Sequence, residues 1–449
     1  MWESHGGGGK GARDAKGAKG AKGAKGAKGA KGARGAEGQA PQRRSWAFCL
    51  AMLALVLAAC SDPATAPPAV SRGGLDGLAA QKVSDFAASP SSIGWQAEGR
   101  ALIAANNLSA LAAARVLAAL SIAQYQAVSA IPDVDGGEAL PANGVGAGGR
   151  SELEAHRGAV AGASARVLSF LFPAAAGSLS QRAAAEGEAG PGNVHPHFAR
   201  GLAVGELAGA AMVEHLKTDR FNAPWTGTVP VGPGMWIANG PPAGVTFGGV
   251  KPHLLTSGAQ FRPSSPPAFN SPAFLADVAE IRSLSDTRSP AQAAMAVAWN
   301  YGGGTFTPPG YWNLTAASYV DTFGLNERAA TRAFALTSTA MMDALIGCWD
   351  AKYYYWTLRP TQADGLITLT FGLPNHPSYP SGHSCVSSAA ATVLKEIFPE
   401  RGAELDAWVE EAGLSRMYAG IHYRFDITAG QDLGQAVARW VIANADRLE

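Results

Sequence analysis

Eight residues that can bind an anion or move protons follow one another within 75 residues of the C-terminal half of the chain. They are Lys352, Arg359, Ser381, Gly382, His383, Arg416, His422 and Asp426. Arginine presents forked donors that match the oxygens of a tetrahedral anion, and lysine adds a point charge. A glycine lets the backbone approach the ligand closely, so its amide and the neighbouring hydroxyl can donate to further oxygens. The set predicts a site for a compact oxyanion. Its histidines are left to bond the central atom or to transfer protons.

The spacing of these residues is specific. It reads Lys-x6-Arg-Pro from Lys352, Pro-Ser-Gly-His from Pro380, and Ser-Arg-x5-His-x3-Asp from Ser415. This order resembles the signature that type-2 phosphatidic acid phosphatases share with vanadium-dependent haloperoxidases, and every motif position is filled. The resemblance covers roughly residues 90 to 445.

The flanking residues resemble the bacterial haloperoxidases in particular. The segments that carry this likeness are 340–353, which contains Trp349, and 376–383, which begins at His376, together with 422–426 and 304–313. The segment 304–313 lies outside the shared signature and therefore adds partly independent support.

The resemblance implies a role for each residue of the set. His422 would bond vanadium in an axial position, and Asp426 would orient its imidazole ring. His383 would be the acid–base group that helps to deprotonate bound hydrogen peroxide, while vanadium acts as a Lewis acid and keeps its oxidation state. The groups that would hold the vanadate oxygens are Lys352, Arg359, Ser381, the Gly382 amide and Arg416. The implied cofactor is vanadate, and the implied partners are hydrogen peroxide, a halide and a small organic acceptor.

Two residues bear on the choice of halide. His376 stands five residues before Ser381, where the family has histidine in algal bromoperoxidases and phenylalanine in fungal chloroperoxidase. A histidine there can hydrogen-bond the bound peroxide, which makes the oxidant less potent than in a dry aromatic pocket. Trp349 instead favours chloride oxidation, since a matching tryptophan occurs in the chloroperoxidase pocket. Because His376 is next to the Pro-Ser-Gly turn, we expect bromide and iodide to be favoured.

The residues alone leave a second function open. Vanadate and phosphate share shape and charge, so the same set could hydrolyse a phosphomonoester with His422 as the nucleophile. An acid phosphatase is therefore the alternative. Lipid phosphatases of this superfamily usually span the membrane, whereas no stretch after Cys60 has about 20 unbroken apolar residues.

The elements that must position these residues are helices. Apolar residues recur at helical spacing from Ser109 to Ala130. Further helices are predicted at about 151–172, 198–217, 272–283, 290–301, 326–352, 383–398, 403–418 and 426–448. The helix from His383 follows the Pro-Ser-Gly turn directly, which places its amides and positive dipole end at the anion. The sequence predicts an all-α fold of helical bundles with long Pro/Gly-rich loops, and with the oxyanion site between helices.

One loop is unusually long. Residues 222–272 are rich in Pro, Gly and Ser with spaced aromatic residues. Loops of this length are usually functional or disordered. The aromatic residues favour an ordered lid or channel wall, although they could also fill a gap in the core.

The N-terminal region has the features of an exported protein. Residues 1–42 are a low-complexity Lys-Gly-Ala-rich segment, predicted to be disordered, and residues 43–60 resemble a lipoprotein signal. Within the signal, an apolar run too short to span a bilayer leads to Leu-Ala-Ala-Cys, which makes Cys60 the predicted lipidation site. An ordinary secretory signal is the alternative. Residues 61–85 would be the tether and 86–449 the catalytic domain. We expect a periplasmic or cell-envelope lipoprotein, held to the membrane through the lipid anchor only.

Charge and cysteines limit the partners further. Residues 1–60 contain 11 Lys and Arg residues and 3 Asp and Glu residues. The rest of the chain contains 25 Lys and Arg residues and 32 Asp and Glu residues. A mildly acidic catalytic domain argues against nucleic acid as a partner. Only Cys348 and Cys385 fall within that domain. They would form either a disulfide, which export permits, or two buried thiols. The sequence does not predict the oligomeric state.

Overall fold

The computed structural model describes residues 89–132, 147–188 and 194–449, and the side chains of residues 147–150 are not described. The low-complexity segment, the predicted signal with Cys60, and the tether all lie outside these ranges. The predicted boundaries at residues 42, 60 and 85 therefore stay predictions.

The described residues form thirteen α-helices and no β-strand, which confirms the predicted all-α fold. Short 3-10 turns follow residues 172, 246, 398 and 444. In chain order the helices are α1 Ser91–Ala105, α2 Ala110–Ser129, α3 Ala147–Leu171, α4 Ala176–Glu186, α5 Pro196–Thr218, α6 Pro272–Thr287, α7 Pro290–Ala298, α8 Thr307–Thr322, α9 Glu327–Tyr355, α10 Pro360–Ala363, α11 Gly382–Ile397, α12 Gly402–Tyr418 and α13 Arg424–Ala443.

Helices α1, α4, α8 and the single-turn α10 were not predicted, and for α1 and α8 the reason is a buried face that is partly polar. Arg100 on α1 donates to Oδ1 of Asn313 on α8, and Nδ2 of Asn313 donates to Oε1 of Gln96 at 2.9 Å. All three side chains are buried. Because these polar groups hydrogen-bond one another, they can occupy core positions. They interrupt the periodic apolar pattern from which a helix is predicted.

The long helix α9 is the centre of the fold. It begins after Asn326, whose side chain accepts from the Ala329 amide at 2.9 Å, and it ends where Trp356 adopts a left-handed conformation with φ of 51°. Most of its residues from Ala330 to Lys352 are buried, and it packs against α2, α11 and α13. Its last turns thereby bring Trp349 and Lys352 to the candidate site.

Helices α11 and α13 approach each other closely through glycines on α13. A Cβ at Gly430 would lie 2.7 Å from the Ser381 carbonyl oxygen, and a Cβ at Gly434 would lie 2.4 Å from that of Cys385. The Ser381 amide also donates to the Asp426 carbonyl at 2.9 Å. This packing sets the start of α13 beside the Pro-Ser-Gly turn.

The long loop after α5 is ordered. Trp236, Phe247 and Leu254 are buried. The carboxylate of Asp343, which is buried in the middle of α9, accepts from the amides of three successive loop residues at 2.9 to 3.0 Å. Since backbone amides fill the carboxylate's acceptor sites, Asp343 fixes the loop to the central helix.

The two cysteines of the domain are free buried thiols, so the disulfide alternative is wrong. The Cys348 thiol lies 3.8 Å from the Pro380 carbonyl and donates to it. Among the described helices, α2 alone is long and apolar enough by composition to cross a membrane. Of its most apolar stretch, 83% is buried inside the protein, as in a core helix.

Candidate active site

His422 and Asp426 form the base of the site, one helical turn apart at the start of α13. Oδ2 of Asp426 lies 2.8 Å from Nδ1 of His422, and it also accepts from the Ser378 hydroxyl and from the Tyr423 amide at 3.1 Å. Burial and the charge of Arg359 lower the pKa of His422 well below its usual value. A carboxylate accepts, so the neutral ring carries its proton on Nδ1 and presents a lone pair at Nε2.

Arg359 connects two histidines through its planar fork. Nη1 donates to the Ile421 carbonyl at 2.7 Å and to Nε2 of His422 at 3.1 Å, while Nε donates to the His376 carbonyl at 3.0 Å. Nη2 lies 3.0 Å from Nδ1 of His376, closer than the Pro377 carbonyl at 3.3 Å. Because a guanidinium only donates, Nδ1 of His376 accepts and the ring proton is on Nε2. Burial and the Arg359 charge lower the pKa of His376, so this ring is a neutral donor.

Lys352 points at the backbone just before the Pro-Ser-Gly turn. Its ammonium donates to the carbonyls of Pro377 at 3.0 Å, Ser378 at 2.7 Å and Pro380. Three carbonyls match the three N–H donors of the ammonium. Burial lowers its pKa to about 8. The side chain does not line the cavity described below, and its predicted contact with an oxyanion stays a prediction.

His383 sits in the first turn of α11. Its Nε2 lies 2.8 Å from the Trp299 carbonyl, which can only accept, so the ring proton is on Nε2 and Nδ1 has a free lone pair. Burial and the charge of Arg416 lower its pKa well below the usual value. The ring is therefore a neutral base at neutral pH.

The turn before α11 presents backbone donors. Ser381 caps the helix by accepting from the Ser384 amide at 3.3 Å, and its hydroxyl hydrogen stays available for donation. The first amides of a helix have no intrahelical acceptor. No described residue accepts from the Gly382 amide either. The start of α11 thus offers an amide and a positive dipole end to an anion.

Arg416, in the last turn of α12, contributes a donor that meets no acceptor in the described part of the chain. Its Nη2 donates to the Ala296 carbonyl at 2.7 Å and its Nε to the Ser415 hydroxyl at 2.9 Å. Its Nη1 is buried and meets no acceptor among the described residues. A buried cationic donor without a partner is costly. This arrangement suits a missing anionic acceptor.

These groups surround one cavity of about 340 Å³. Six of the predicted site residues line it: Trp349, His376, Gly382, His383, Arg416 and His422. The other four, Lys352, Arg359, Ser381 and Asp426, are fully buried in the layer behind them. The rings of Trp349 and His376 have centroids 5.1 Å apart. The structure therefore brings together all ten predicted site residues, while their individual roles stay predictions.

Comparison with known proteins agrees with this geometry. A profile of the PAP2 superfamily matches residues 331–448, from the second turn of α9 to the last residues of the chain. Residues 331–448 form a PAP2 superfamily domain. All ten predicted site residues lie within it.

Proteins that are similar to part of this chain include two kinds of enzyme. A non-specific acid phosphatase of Providencia stuartii is 28% identical over 138 residues, which cover 29% of this chain and 56% of the phosphatase. A vanadium-dependent bromoperoxidase of Ascophyllum nodosum is 33% identical over 95 residues, which cover 15% of this chain and 17% of that protein. The matches thus span only about half, or less, of the length of these relatives.

The fold likeness extends well beyond the PAP2 domain. A crystal structure of a bacterial vanadium-dependent iodoperoxidase superposes with a TM-score of 0.64 at 24% identity, covering 78% of this chain and 94% of that one. This likeness shows that the two chains share a fold.

Several groups that complete the site were not singled out from the sequence. Ser378, inside the PAP2 domain, donates to Asp426, and its place in the segment 376–383 was a usable signal. The Trp299 carbonyl lies outside the domain and had no signal, because any residue supplies a carbonyl. The loop residues Ala243, Gly244, Thr246 and Phe247 line the cavity, as expected of a channel wall.

Proposed function

We propose that the protein is a vanadate-dependent haloperoxidase, which oxidises iodide or bromide with hydrogen peroxide and halogenates organic acceptors. The observation that carries this proposal is the position of His376. Arg359 holds it as a neutral Nε2–H donor, its ring centroid lies 5.1 Å from that of Trp349, and it lines the same cavity as His422. A phosphate site has no evident need for this fixed extra donor. A halide-oxidising site can use it to hydrogen-bond peroxide beside the anion.

The residues fit a tetrahedral oxyanion such as vanadate. Lys352, Arg359 and Arg416 are buried cations of the site and Asp426 is its buried carboxylate; among the described residues, neither the Gly382 amide nor Nη1 of Arg416 has an acceptor. His422 would bond the central atom through Nε2. The oxygens would be held by Arg359, Arg416, Lys352, Ser381 and the Gly382 amide. When bound, vanadate supplies a Lewis acid that activates peroxide without a change of oxidation state.

The chain's own residues then control the protons. His383 accepts a proton from peroxide at Nδ1, because Trp299 already engages its Nε2–H. Asp426 keeps the proton of His422 on Nδ1, which leaves Nε2 unprotonated and able to bond once Arg359 gives up its hydrogen bond to it. His376 donates from Nε2 to an oxygen or a halide in the cavity. The cations balance the negative charge that would otherwise repel the halide.

The acid phosphatase remains the second candidate, and a specific observation favours it. The same Nε2 lone pair is a suitable nucleophile toward phosphorus, and proteins named non-specific acid phosphatases are similar to part of this chain. In that reaction His383 would return a proton to the leaving alcohol.

One experiment separates the two candidates. The purified protein is assayed for peroxide-dependent triiodide formation and bromination, with and without orthovanadate, and for hydrolysis of p-nitrophenyl phosphate. We expect halide oxidation only when peroxide and vanadate are both present, with phosphate as a competitor. Halide oxidation that survives removal of vanadate, or phosphomonoesterase activity that vanadate does not inhibit, would overturn the proposal.

Export and lipid anchoring through Cys60 are also proposals, and they rest on the sequence. Fractionation of cells that express the wild type and Cys60→Ser tests them. Wild-type protein recovered in the cytosol with residues 46–59 attached would exclude export.

A further inference from the structure

The larger part of the cavity wall is apolar, and apart from Trp349 the chemistry described so far does not use its residues. Its side chains come from α2, the loop after α5, α9 and α11, which are far apart in the chain. We call this surface the apolar wall and define it by Leu111, Phe221, Phe247, Leu345, Trp349 and Val386.

The apolar wall is continuous with the anion site. Ring centroids are 5.1 Å apart between His376 and Trp349, 6.1 Å between Trp349 and Phe247, and 6.0 Å between Phe247 and Phe221. A Cβ placed on Gly382 would lie 3.1 Å from the indole of Trp349. A molecule lying on this wall would therefore have one edge beside the Gly382 amide and His376.

The space and the charges restrict what the wall can hold. An apolar protein cavity of about 150 Å³ is enough to bind benzene. At about 340 Å³, this cavity has room for a fused two-ring aromatic molecule. Arg416 lines the cavity, whereas no Asp or Glu of the described residues does. The site therefore favours a neutral or anionic aromatic molecule over an ammonium cation.

We propose that the apolar wall binds a bicyclic, electron-rich aromatic acceptor, and that the halogen is transferred to this molecule while it is bound. This inference rests on the proposed function. Halide gives two electrons to hydrogen peroxide, and with one proton the products are hypohalous acid and water. The aromatic carbon then forms a bond to the halogen as the halogen–oxygen bond breaks. The ring proton leaves and combines with the released hydroxide to give a second water.

A competition between two forms of one acceptor tests the transfer step. Free 2-naphthol is mixed with the same naphthol attached to a soluble dextran, which has similar intrinsic reactivity but is too large for the cavity. Bromination by the protein with bromide and peroxide is compared with bromination by added hypobromous acid. We expect the ratio of brominated free naphthol to brominated dextran-bound naphthol to be roughly tenfold or more higher with the protein than with added hypobromous acid. The same product ratio with the protein and with added hypobromous acid would mean that the hypohalous acid leaves the cavity before it reacts. That result would overturn the inference.

A matched pair of variants locates the effect. Leu111→Trp fills the cavity at the apolar wall, whereas Leu207→Trp makes the same change at a side chain that is 73% exposed on α5. We expect Leu111→Trp to give the product ratio that added hypobromous acid gives. Leu207→Trp should keep the ratio of the wild type. The ratio does not depend on the rate of halide oxidation. A wild-type ratio in correctly folded Leu111→Trp would contradict the assignment of this wall.

A binding measurement needs no catalysis. Calorimetry with 2-naphthol and with tryptamine, without peroxide, should show binding of naphthol that weakens roughly tenfold or more in Leu111→Trp, and little binding of the cationic amine. Failure of naphthol to bind would overturn the inference even if Leu111→Trp does not fold. Failure of the proposed function looks different, because triiodide formation, which needs no organic acceptor, would then be absent.

Discussion

Nη1 of Arg359 donates to Nε2 of His422 across 3.1 Å, so the lone pair of this unprotonated nitrogen accepts a hydrogen bond from a cation. The guanidinium cannot release this proton at neutral pH. It therefore keeps Nε2 unprotonated. When an oxyanion bonds to Nε2, the Arg359 N–H must donate to an oxygen of the anion in place of Nε2. The same side chain also fixes the tautomer of His376.

Arg359→Lys is expected to reduce turnover by about 10² or more, because a point charge cannot hold both rings as the fork does. Vanadate affinity should fall as well. The measurement is steady-state iodide oxidation together with a vanadate titration. Arg424→Lys is the control, since this exposed residue pairs with Glu280 on the surface. Near-wild-type turnover in Arg359→Lys would show that charge alone suffices.

The two histidines should fail in different ways. His422→Ala removes the only proposed bond to the central atom and is expected to abolish tight vanadate binding, as judged by equilibrium dialysis. His383→Ala removes a proton acceptor and should lower turnover by about 10² to 10⁴ while vanadate still binds. Equal loss of affinity in both variants would contradict this division of roles.

His376→Phe is expected to raise chloride oxidation relative to bromide oxidation. The substitution removes the Nε2–H donor beside the peroxide and leaves an aromatic ring next to Trp349. The measurement is the ratio of the two halide turnovers at mildly acidic pH, and His376→Gln, which retains a donor, serves as the comparison. Efficient chlorination by the wild type would show that this position does not limit the halide.

The packing of α3 against α5 depends on glycine. A Cβ at Gly205 would lie 2.1 Å from the Ala159 carbonyl oxygen, so Gly205→Ala should lower the free energy of unfolding by about 1–3 kcal/mol. Gly177, on α4, has no atom within 4 Å of its added Cβ, so Gly177→Ala should raise stability by about 0.5–1 kcal/mol. Urea unfolding of both variants checks the pair, and changes of the same sign would contradict the packing.

His215 and His253 should make the fold sensitive to acid. Their rings stack with centroids 4.9 Å apart, and burial lowers the pKa of each from 6.5 to about 4. Between these pH values the unfolded chain binds protons that the folded protein does not. Their effect is therefore absent above pH 6.5, and stability falls as the pH drops toward 4. In urea unfolding at about pH 7 and about pH 5, the double variant His215→Gln/His253→Gln should lose less stability than the wild type. An equal loss would contradict this assignment.

The sequence predicted which residues meet, because the motif depends on residue type and order along one stretch; that they bind an oxyanion stays a prediction. All ten predicted residues meet around the cavity. The direction of the Lys352 ammonium was not predictable, since its partners are carbonyls of a local turn. The apolar wall was missed for a different reason. Leu111 and Phe221 are ordinary hydrophobic residues, and only the packing of distant helices and loops makes them neighbours of Trp349.

The three carbonyls around Lys352 have a consequence for assembly. The carbonyl dipoles already stabilise the buried positive charge of Lys352. The guanidinium of Arg359 likewise donates to carbonyls and imidazole rings. The chain can thus complete its fold before any oxyanion arrives, unlike small zinc domains that need their metal to fold. Under the proposed function, vanadate would then bind reversibly to an already folded protein, in competition with phosphate.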